Sequence, residues 1–245
     1  MLNLEAGIHD VGADDYHADA LRAEPTLSSS IAKIIVQQSP RHAWTASKRL
    51  NPDFEPTNSD AFNVGKAVDS YMTGELAQIV AIDPAKYPAK NGNIPVGWGN
   101  PAIRAARDAA QAEGKIPLLP DQLTAVVAMA KAARWQIDTS EEAAGMFSPT
   151  GWHYQKTLLW REKNGVWCRA RPDALKQDHT IIGDFKSSGG NVDDETFGKQ
   201  IANLGYNLQA AFYIRGHRAL FGTEPKFLFV AQETSAPYAL KVHGL

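Results

Sequence analysis

An α/β fold, with helices flanking a mixed sheet, is predicted by three features of this chain. Apolar, aromatic and β-branched runs at 156–160, 166–175 and 181–187 are split by Lys163-Asn164-Gly165 and Gln177-Asp178-His179. Asn-Gly between such runs is a strong hairpin signal, so the three read as an antiparallel meander. Helical stretches precede the meander, and a helix and two more strands follow it, an order that places the meander centrally in a mixed sheet. The composition agrees: 44% hydrophobic and 21% charged over 245 residues is ordinary for a globular protein with a sizeable core. We read 1–245 as a single domain. Its parts are a helical N-terminal segment (1–60), a helical portion with a loop near 83–100 (61–150), and a sheet core carrying the candidate site (151–245).

Each element has its own local signal. Thr26-Leu27-Ser28-Ser29-Ser30 followed by Ile31, Ile34 and Ile35 predicts a serine-capped helix. Ser39-Pro40 repeats that start, and the helix it opens holds Arg41, His42, Lys48 and Arg49 without an acidic residue. From about Asp60 to Met72 the chain reads as a mostly buried helix, and Pro84, Pro88, Gly92, Pro95, Gly97 and Gly99 then mark an irregular loop. Alanine-rich helices are expected over 101–113 and 121–136. After the meander, Asp193-Asp194-Glu195 place negative charge at the start of a helix running to about Phe221. Between Lys199 and Thr223 that helix contains Lys199, Arg215 and Arg218 and no acid, and strands follow at 226–232 and 238–242.

Composition also excludes some functions. A net charge of −2 offers no bulk attraction for nucleic acid, so any such surface is a local basic patch with salt-dependent binding. Cys168 is the only cysteine, which rules out a disulfide framework, a four-cysteine zinc site and an iron–sulfur cluster. No run approaches the roughly eighteen apolar residues of a membrane span, and no signal pattern opens the chain. The expected location is cytoplasmic.

The chemistry concentrates at Arg171-Pro172-Asp173 and Ile181-Ile182-Gly183-Asp184-Phe185-Lys186. A hairpin-length gap brings two carboxylates and an ammonium to the ends of neighbouring strands. Asp173 and Asp184 make a hard oxygen site suited to Mg²⁺, with Mn²⁺ as an alternative. Lys186, two residues beyond Asp184, shares its face of the strand and so reaches a water or phosphate at that metal. It serves either as an ion-pair partner or as the group that orients water and stabilises phosphoryl charge, and between anions it stays protonated. Gln209 and Tyr213, four apart on one helix face, read either as part of an amphipathic helix whose tyrosine packs on the sheet or, beside a metal centre, as groups that bond DNA backbone or a metal-bound water. Ser28, Arg41, His42, Lys48 and Arg49 read as phosphate contacts or, equally, as helix caps and a solvated basic face.

Gly65-Lys66-Ala67-Val68-Asp69, Arg171-Pro172-Asp173, Asp184-Phe185-Lys186 and Gln209-x-x-x-Tyr213, in that order, resemble the PD-(D/E)XK nuclease superfamily. Leu27-Ser28-Ser29-Ser30-Ile31 and Ser39-Pro40-Arg41-His42-Ala43 are similar to the opening of its RecE-like (exodeoxyribonuclease VIII) and phage-type exonuclease group. The likeness continues through Gly114-Lys115-Ile116-Pro117-Leu118-Leu119 and Gly165-Val166-Trp167-Cys168-Arg169-Ala170-Arg171, covering nearly the whole chain.

The resemblance implies a restriction-endonuclease-like fold and a Mg²⁺-dependent exonuclease digesting duplex DNA from 5′ ends to leave 3′ single-stranded tails. It implies phage-type recombination in a bacterial cell, a homo-oligomeric ring around duplex ends, and a single-strand annealing recombinase as partner. By position, Asp173, Asp184 and the Phe185 backbone carbonyl would hold metal, Lys186 would be the catalytic lysine, and Gln209 and Tyr213 the helix motif. Two departures stand out: Asp69 occupies the family's histidine position and Gln155 the position of its strand glutamate. Aspartate suits a hard cation, so Asp69 is expected as a further ligand, and the two charge changes roughly offset each other. An endonuclease, a single-strand-specific nuclease and a catalytically silent DNA-binding protein remain the alternatives.

Overall fold

The computed structural model describes residues 1–55, 60–74 and 76–245. Residues 56–59, at the end of the segment read as helical, lie outside the described residues. The elements are β1 (Gly7–His9), α1 (Ala13–His17), β2 (Thr26–Ser28), α2 (Ser29–Gln37), α3 (Pro40–Thr45), α4 (Asp60–Thr73), β3 (Ile79–Ala81), α5 (Pro101–Ala112), β4 (Ile116–Leu118) and α6 (Pro120–Asp138). They continue as β5 (Trp152–Tyr154), β6 (Thr157–Arg161), β7 (Trp167–Ala170), β8 (Ala174–Lys176), β9 (Ile181–Ser188), α7 (Asp194–Asn203), α8 (Tyr206–Phe221), β10 (Lys226–Glu233) and β11 (Leu240–Gly244). The chain divides into two compact units, Met1–Pro56 with Ile137–Leu245, and Thr57–Gln136.

The second unit contains α4, α5 and most of α6, and its buried side chains include Val68, Met72, Ile103, Leu118, Val126 and Met129. It is not helical throughout, as the sequence suggested for 61–150. β3 and β4 form a two-stranded parallel pair, with Ile79 opposite Ile116 and Ala81 opposite Leu118. Three residues are too few to show an alternating pattern, so these strands left no readable signal. Asn100 caps α5 by accepting from the Ala102 N–H at 2.8 Å, and Pro101 follows at the first helical position.

The first unit holds two mixed sheets, in the orders β1-β6-β7-β2 and β11-β10-β9-β8-β5. Both expected hairpins form, with Trp160 opposite Cys168 and Leu175 opposite Ile182. The single strand expected over 166–175 does not form. It breaks at Arg171-Pro172-Asp173, because Pro172 has no N–H for a ladder, and its halves enter different sheets. The N-terminal segment also departs from the all-helical expectation. β1 pairs with β6, and β2 runs parallel to β7 with Leu27 opposite Cys168.

A buried polar network secures that segment. Asp19 and Arg169 are 3% and 7% exposed and pair at 2.8 Å. Asp19 also accepts from the Thr26 N–H at 2.9 Å and the Thr26 hydroxyl at 2.6 Å, and Arg169 donates to the Thr26 carbonyl.

β10 runs parallel to β9, with Phe229 opposite Asp184, and its Phe227–Ala231 stretch is fully buried. This explains a strand that reads as a continuous apolar run rather than an alternation. The core combines Trp160, Ile182, Phe197, Tyr213, Phe227 and Phe229. The long helix expected after Asp193 is two helices, since Gly205 takes a left-handed φ of +65° between them. α8 lies close on β6, where a Cβ at Gly216 would sit 2.5 Å from the Trp160 ring. Gly216→Ala should therefore cost about 1–3 kcal/mol through overpacking, read as a lower urea midpoint. A variant as stable as the parent would show that α8 can lift without loss.

Candidate active site

The site forms where the break after β7 meets the middle of β9. Pro172 turns the chain so that Asp173 lies just before β8, half-buried, with both carboxylate oxygens occupied. Oδ2 accepts the Phe185 backbone N–H at 2.7 Å, and Oδ1 accepts the Gln155 side-chain amide at 3.0 Å. Gln155 sits between β5 and β6 at a φ of +51°, not within a strand. Its amide oxygen accepts from Arg171 Nε at 2.9 Å, and its backbone N–H donates to the Asp173 carbonyl at 3.2 Å. Gln155 thus braces Asp173 rather than adding a charge.

Asp184 lies on β9 and is 2% exposed. Gln209 donates to its Oδ1 at 2.8 Å, and the Lys186 ammonium forms an ion pair with Oδ2. Lys186 projects from the same face of β9, as the period of two requires, and lies 5.0 Å from the Tyr206 ring centroid. Four residues beyond Gln209, the Tyr213 hydroxyl donates to the Arg171 carbonyl at 3.3 Å, which seats α8 on the strand break.

β8 pairs with β9 only at Ile182 and Gly183. Past that point the same edge of β9 is met by Asp173 through the Phe185 N–H. Within a strand the N–H and C=O of one residue project to the same edge, so the Phe185 carbonyl also points to this side.

The electrostatics follow from two carboxylates sharing a poorly solvated place. Burial, and then the charge of Asp184, push the Asp173 carboxyl up from 3.8 to about 7, against the opposing effects of Lys186, Phe185 N–H and Gln155. Burial alone would lower the Lys186 ammonium, but the charges of Asp184 and Asp173 outweigh it and hold it above its ordinary range. Lys186 is therefore protonated, as expected between anions. Burial raises the Tyr213 phenol well above its ordinary value, so it acts as a neutral hydrogen-bonding group.

Asp173, Asp184, Lys186, Gln209 and Tyr213 are thus brought together in the first unit. Asp69 belongs to the second unit, on α4, where its backbone carbonyl accepts from the Thr73 hydroxyl at 3.0 Å. Among the candidate phosphate contacts, Ser28 is 8% exposed and caps α2, accepting from the Ile31 N–H. Arg49 is bound to the Ala23 carbonyl at 2.8 Å, and His42 to Ser39 at 2.7 Å.

Two residues of the site carried no sequence signal. Tyr206, at the start of α8, lies beside Lys186, and Lys33 of α2 lies 5.9 Å from the same ring. Among the described residues no group of three or more His, Cys, Asp or Glu side chains forms a metal cluster, so a cation here would rest on two carboxylates and backbone oxygen. No helix of the described residues is long and apolar enough to cross a membrane.

Two mixed sheets flanked by helices, with a Pro-Asp at a strand break and Asp-x-Lys on the adjoining strand, define a restriction-endonuclease-like fold of the PD-(D/E)XK nuclease class. Residues 28–245 match the model of the PDDEXK-like domain of unknown function, and the chain belongs to that family. The fold is also similar to a solved structure from Eubacterium rectale described as a "Putative exonuclease". The TM-score is 0.59 at 17% identity, over 97% of this chain and 78% of that one. No curated protein matches.

Proposed function

We propose that this protein is a divalent-metal-dependent exodeoxyribonuclease that digests linear duplex DNA from 5′ ends and leaves 3′ single strands. The observation that carries the reading is the convergence of Asp173, from the break before β8, and Asp184, from β9, beside a protonated Lys186. The donor set fits Mg²⁺ or Mn²⁺. Burial, and after it the charge of Asp184, drive Asp173 to hold a proton, and a dication would supply the countercharge that both carboxylates need.

Asp173, Asp184 and the Phe185 carbonyl would hold the cation. A bound divalent cation supplies Lewis acidity toward the scissile phosphate and its attacking water. Lys186 places an ammonium where phosphoryl charge develops and donates to a phosphoryl oxygen or to the attacking water. Gln209 fixes one oxygen of Asp184, and Gln155 with the Phe185 N–H fixes both oxygens of Asp173. The carboxylates are thereby preorganised. Tyr213 anchors α8 to the Arg171 carbonyl and keeps Gln209 in reach.

Polarity and tail product rest on the RecE-like resemblance. So do a homo-oligomeric ring, a single-strand annealing recombinase as partner and a bacterial or phage setting, while the cytoplasmic location we propose rests on the sequence pattern alone. The direct test is digestion of linear duplex labelled at either the 5′ or the 3′ end, with Mg²⁺ or EDTA and a closed circle as control. Metal-dependent early release of the 5′ label with the circle intact is expected. Cutting of the circle would make the protein an endonuclease, and no cutting under any divalent metal would make it a silent DNA-binding relative.

The Asp173 shift gives a second, independent check. In the metal-free protein Asp173 keeps its proton up to about pH 7, whereas the unfolded chain releases it near 3.8. Between those values the folded state binds more protons, so this group makes stability fall as pH rises. Mg²⁺ must displace that proton below about 7 and meets an open carboxylate above it. Thermal melts should show a small Mg²⁺-induced rise at about pH 5.5 and a larger one at about pH 8. An equal rise at both would remove Asp173 from the ligand set.

A further inference from the structure

Lys33 is the cation of this site that the catalytic reading leaves unused. It projects from α2, is half-buried, and among the described residues has no ion-pair partner. One of its three N–H groups donates to the Leu204 carbonyl at 3.3 Å. Its ammonium and that of Lys186 both lie within 6 Å of the Tyr206 ring centroid. The two carboxylates nearby are already engaged, Asp184 by Lys186 and Gln209, and Asp173 by Gln155 and the Phe185 N–H. Lys33 is thus a cation held close to a like charge with no anion of its own.

Its placement is built rather than incidental. Ser28 caps α2, fixing the start of the helix that carries Lys33. Gly205 supplies the room beside it, since a Cβ there would lie 3.0 Å from Lys33 Cδ and 2.8 Å from Gln37 Nε2. A side chain at Gly205 would push the lysine stem away. Burial, and after it the charge of Lys186, lower the Lys33 ammonium, against the smaller opposing charge of Asp184.

We propose that Lys33, backed by Tyr206, holds the backbone phosphate next to the scissile one and so sets the register of the strand at the metal site. This rests on the nuclease reading above. Lys186 serves the scissile phosphate, and a second ammonium close by takes the neighbouring phosphate as a point charge. Lys33 is a binding and positioning residue, not a group of the chemical step.

The test compares wild type, Lys33→Gln and Lys33→Arg on a short linear duplex, by cleavage kinetics in Mg²⁺ and by DNA affinity in EDTA at several salt concentrations. Lys33 is half-exposed, so both variants should melt as wild type does. Lys33→Gln should weaken affinity about tenfold and raise KM more than it lowers kcat. It should also reduce the slope of log K against log salt by about 0.7–0.9, the share of one phosphate contact. Lys33→Arg should restore most of both. Neutralising single phosphates as methylphosphonates should identify one position, adjacent to the cut, that weakens wild type by the same factor and leaves Lys33→Gln unaffected.

Wild-type cleavage with unchanged KM, affinity and salt slope in Lys33→Gln would overturn the Lys33 assignment and leave the nuclease intact. Weakened DNA binding in Lys33→Gln, with no cleavage by wild type, would support the phosphate subsite while overturning the enzyme. A wild type that neither binds nor cuts DNA would overturn both.

Discussion

Replacing Asp184 with asparagine should reduce DNA cleavage about a thousandfold or more, since in the proposed reaction both the cation and the alignment of Lys186 would depend on it. The same substitution should leave thermal stability in the absence of metal close to that of wild type. Lys186 loses its ion pair with Asp184, while Asp173, relieved of that neighbouring charge, ionises and takes its place as counterion. Asparagine keeps the shape and can still accept from Gln209, while the charge that pushes Asp173 up is gone. Cleavage assays beside melts in EDTA would separate the effect on activity from that on stability. Cleavage within tenfold of wild type would remove Asp184 from the centre, and a large fall in melting temperature would mean that its role is structural.

The largest effect on stability is expected from Asp19→Ala, at about 3–5 kcal/mol, because Arg169 would be left buried with its charge unmatched. The Thr26 N–H and hydroxyl would lose their acceptor as well. Part of the cost is backbone, since Asp19 holds a φ of +57° that alanine adopts poorly. Asp19→Asn separates the terms: it tolerates the left-handed region and keeps the Thr26 acceptor while removing the charge. Urea denaturation should rank wild type above Asp19→Asn above Asp19→Ala. If Asp19→Ala cost less than about 1 kcal/mol, this network would not be what ties the N-terminal segment to β7. The consequence reaches the site, because β2 leads directly into α2 and Lys33.

The candidate site was largely legible in the chain because its spacings are local. Asp184 and Lys186 are two apart on a strand and must share a face, and Gln209 and Tyr213 are four apart on a helix and do the same. Asp173 was marked by Pro172, but Pro172 was also the signal misread. Taken as the end of one strand, Arg171-Pro172-Asp173 is in fact a break that sends β7 and β8 into different sheets. Gly205 was similarly passed over inside what read as a single helix. Gln155 stood out only against the family pattern, and its amide proves to bridge Arg171 and Asp173.

What the sequence determined alone was the local grouping of the candidate residues: two carboxylates with a lysine two residues from one of them, on or beside strands bounded by Asn-Gly and Pro-Asp turns. Backbone periodicity and turn stereochemistry act between near neighbours, so they survive in a one-dimensional reading. Tertiary structure alone decided that β2 lies against β7, that Asp19 meets Arg169, and that Lys33 and Lys186 face one tyrosine ring. Those pairings join residues far apart in the chain, and no local pattern encodes them. They exist because burying the apolar faces of two sheets and their helices leaves those polar groups no other place to go.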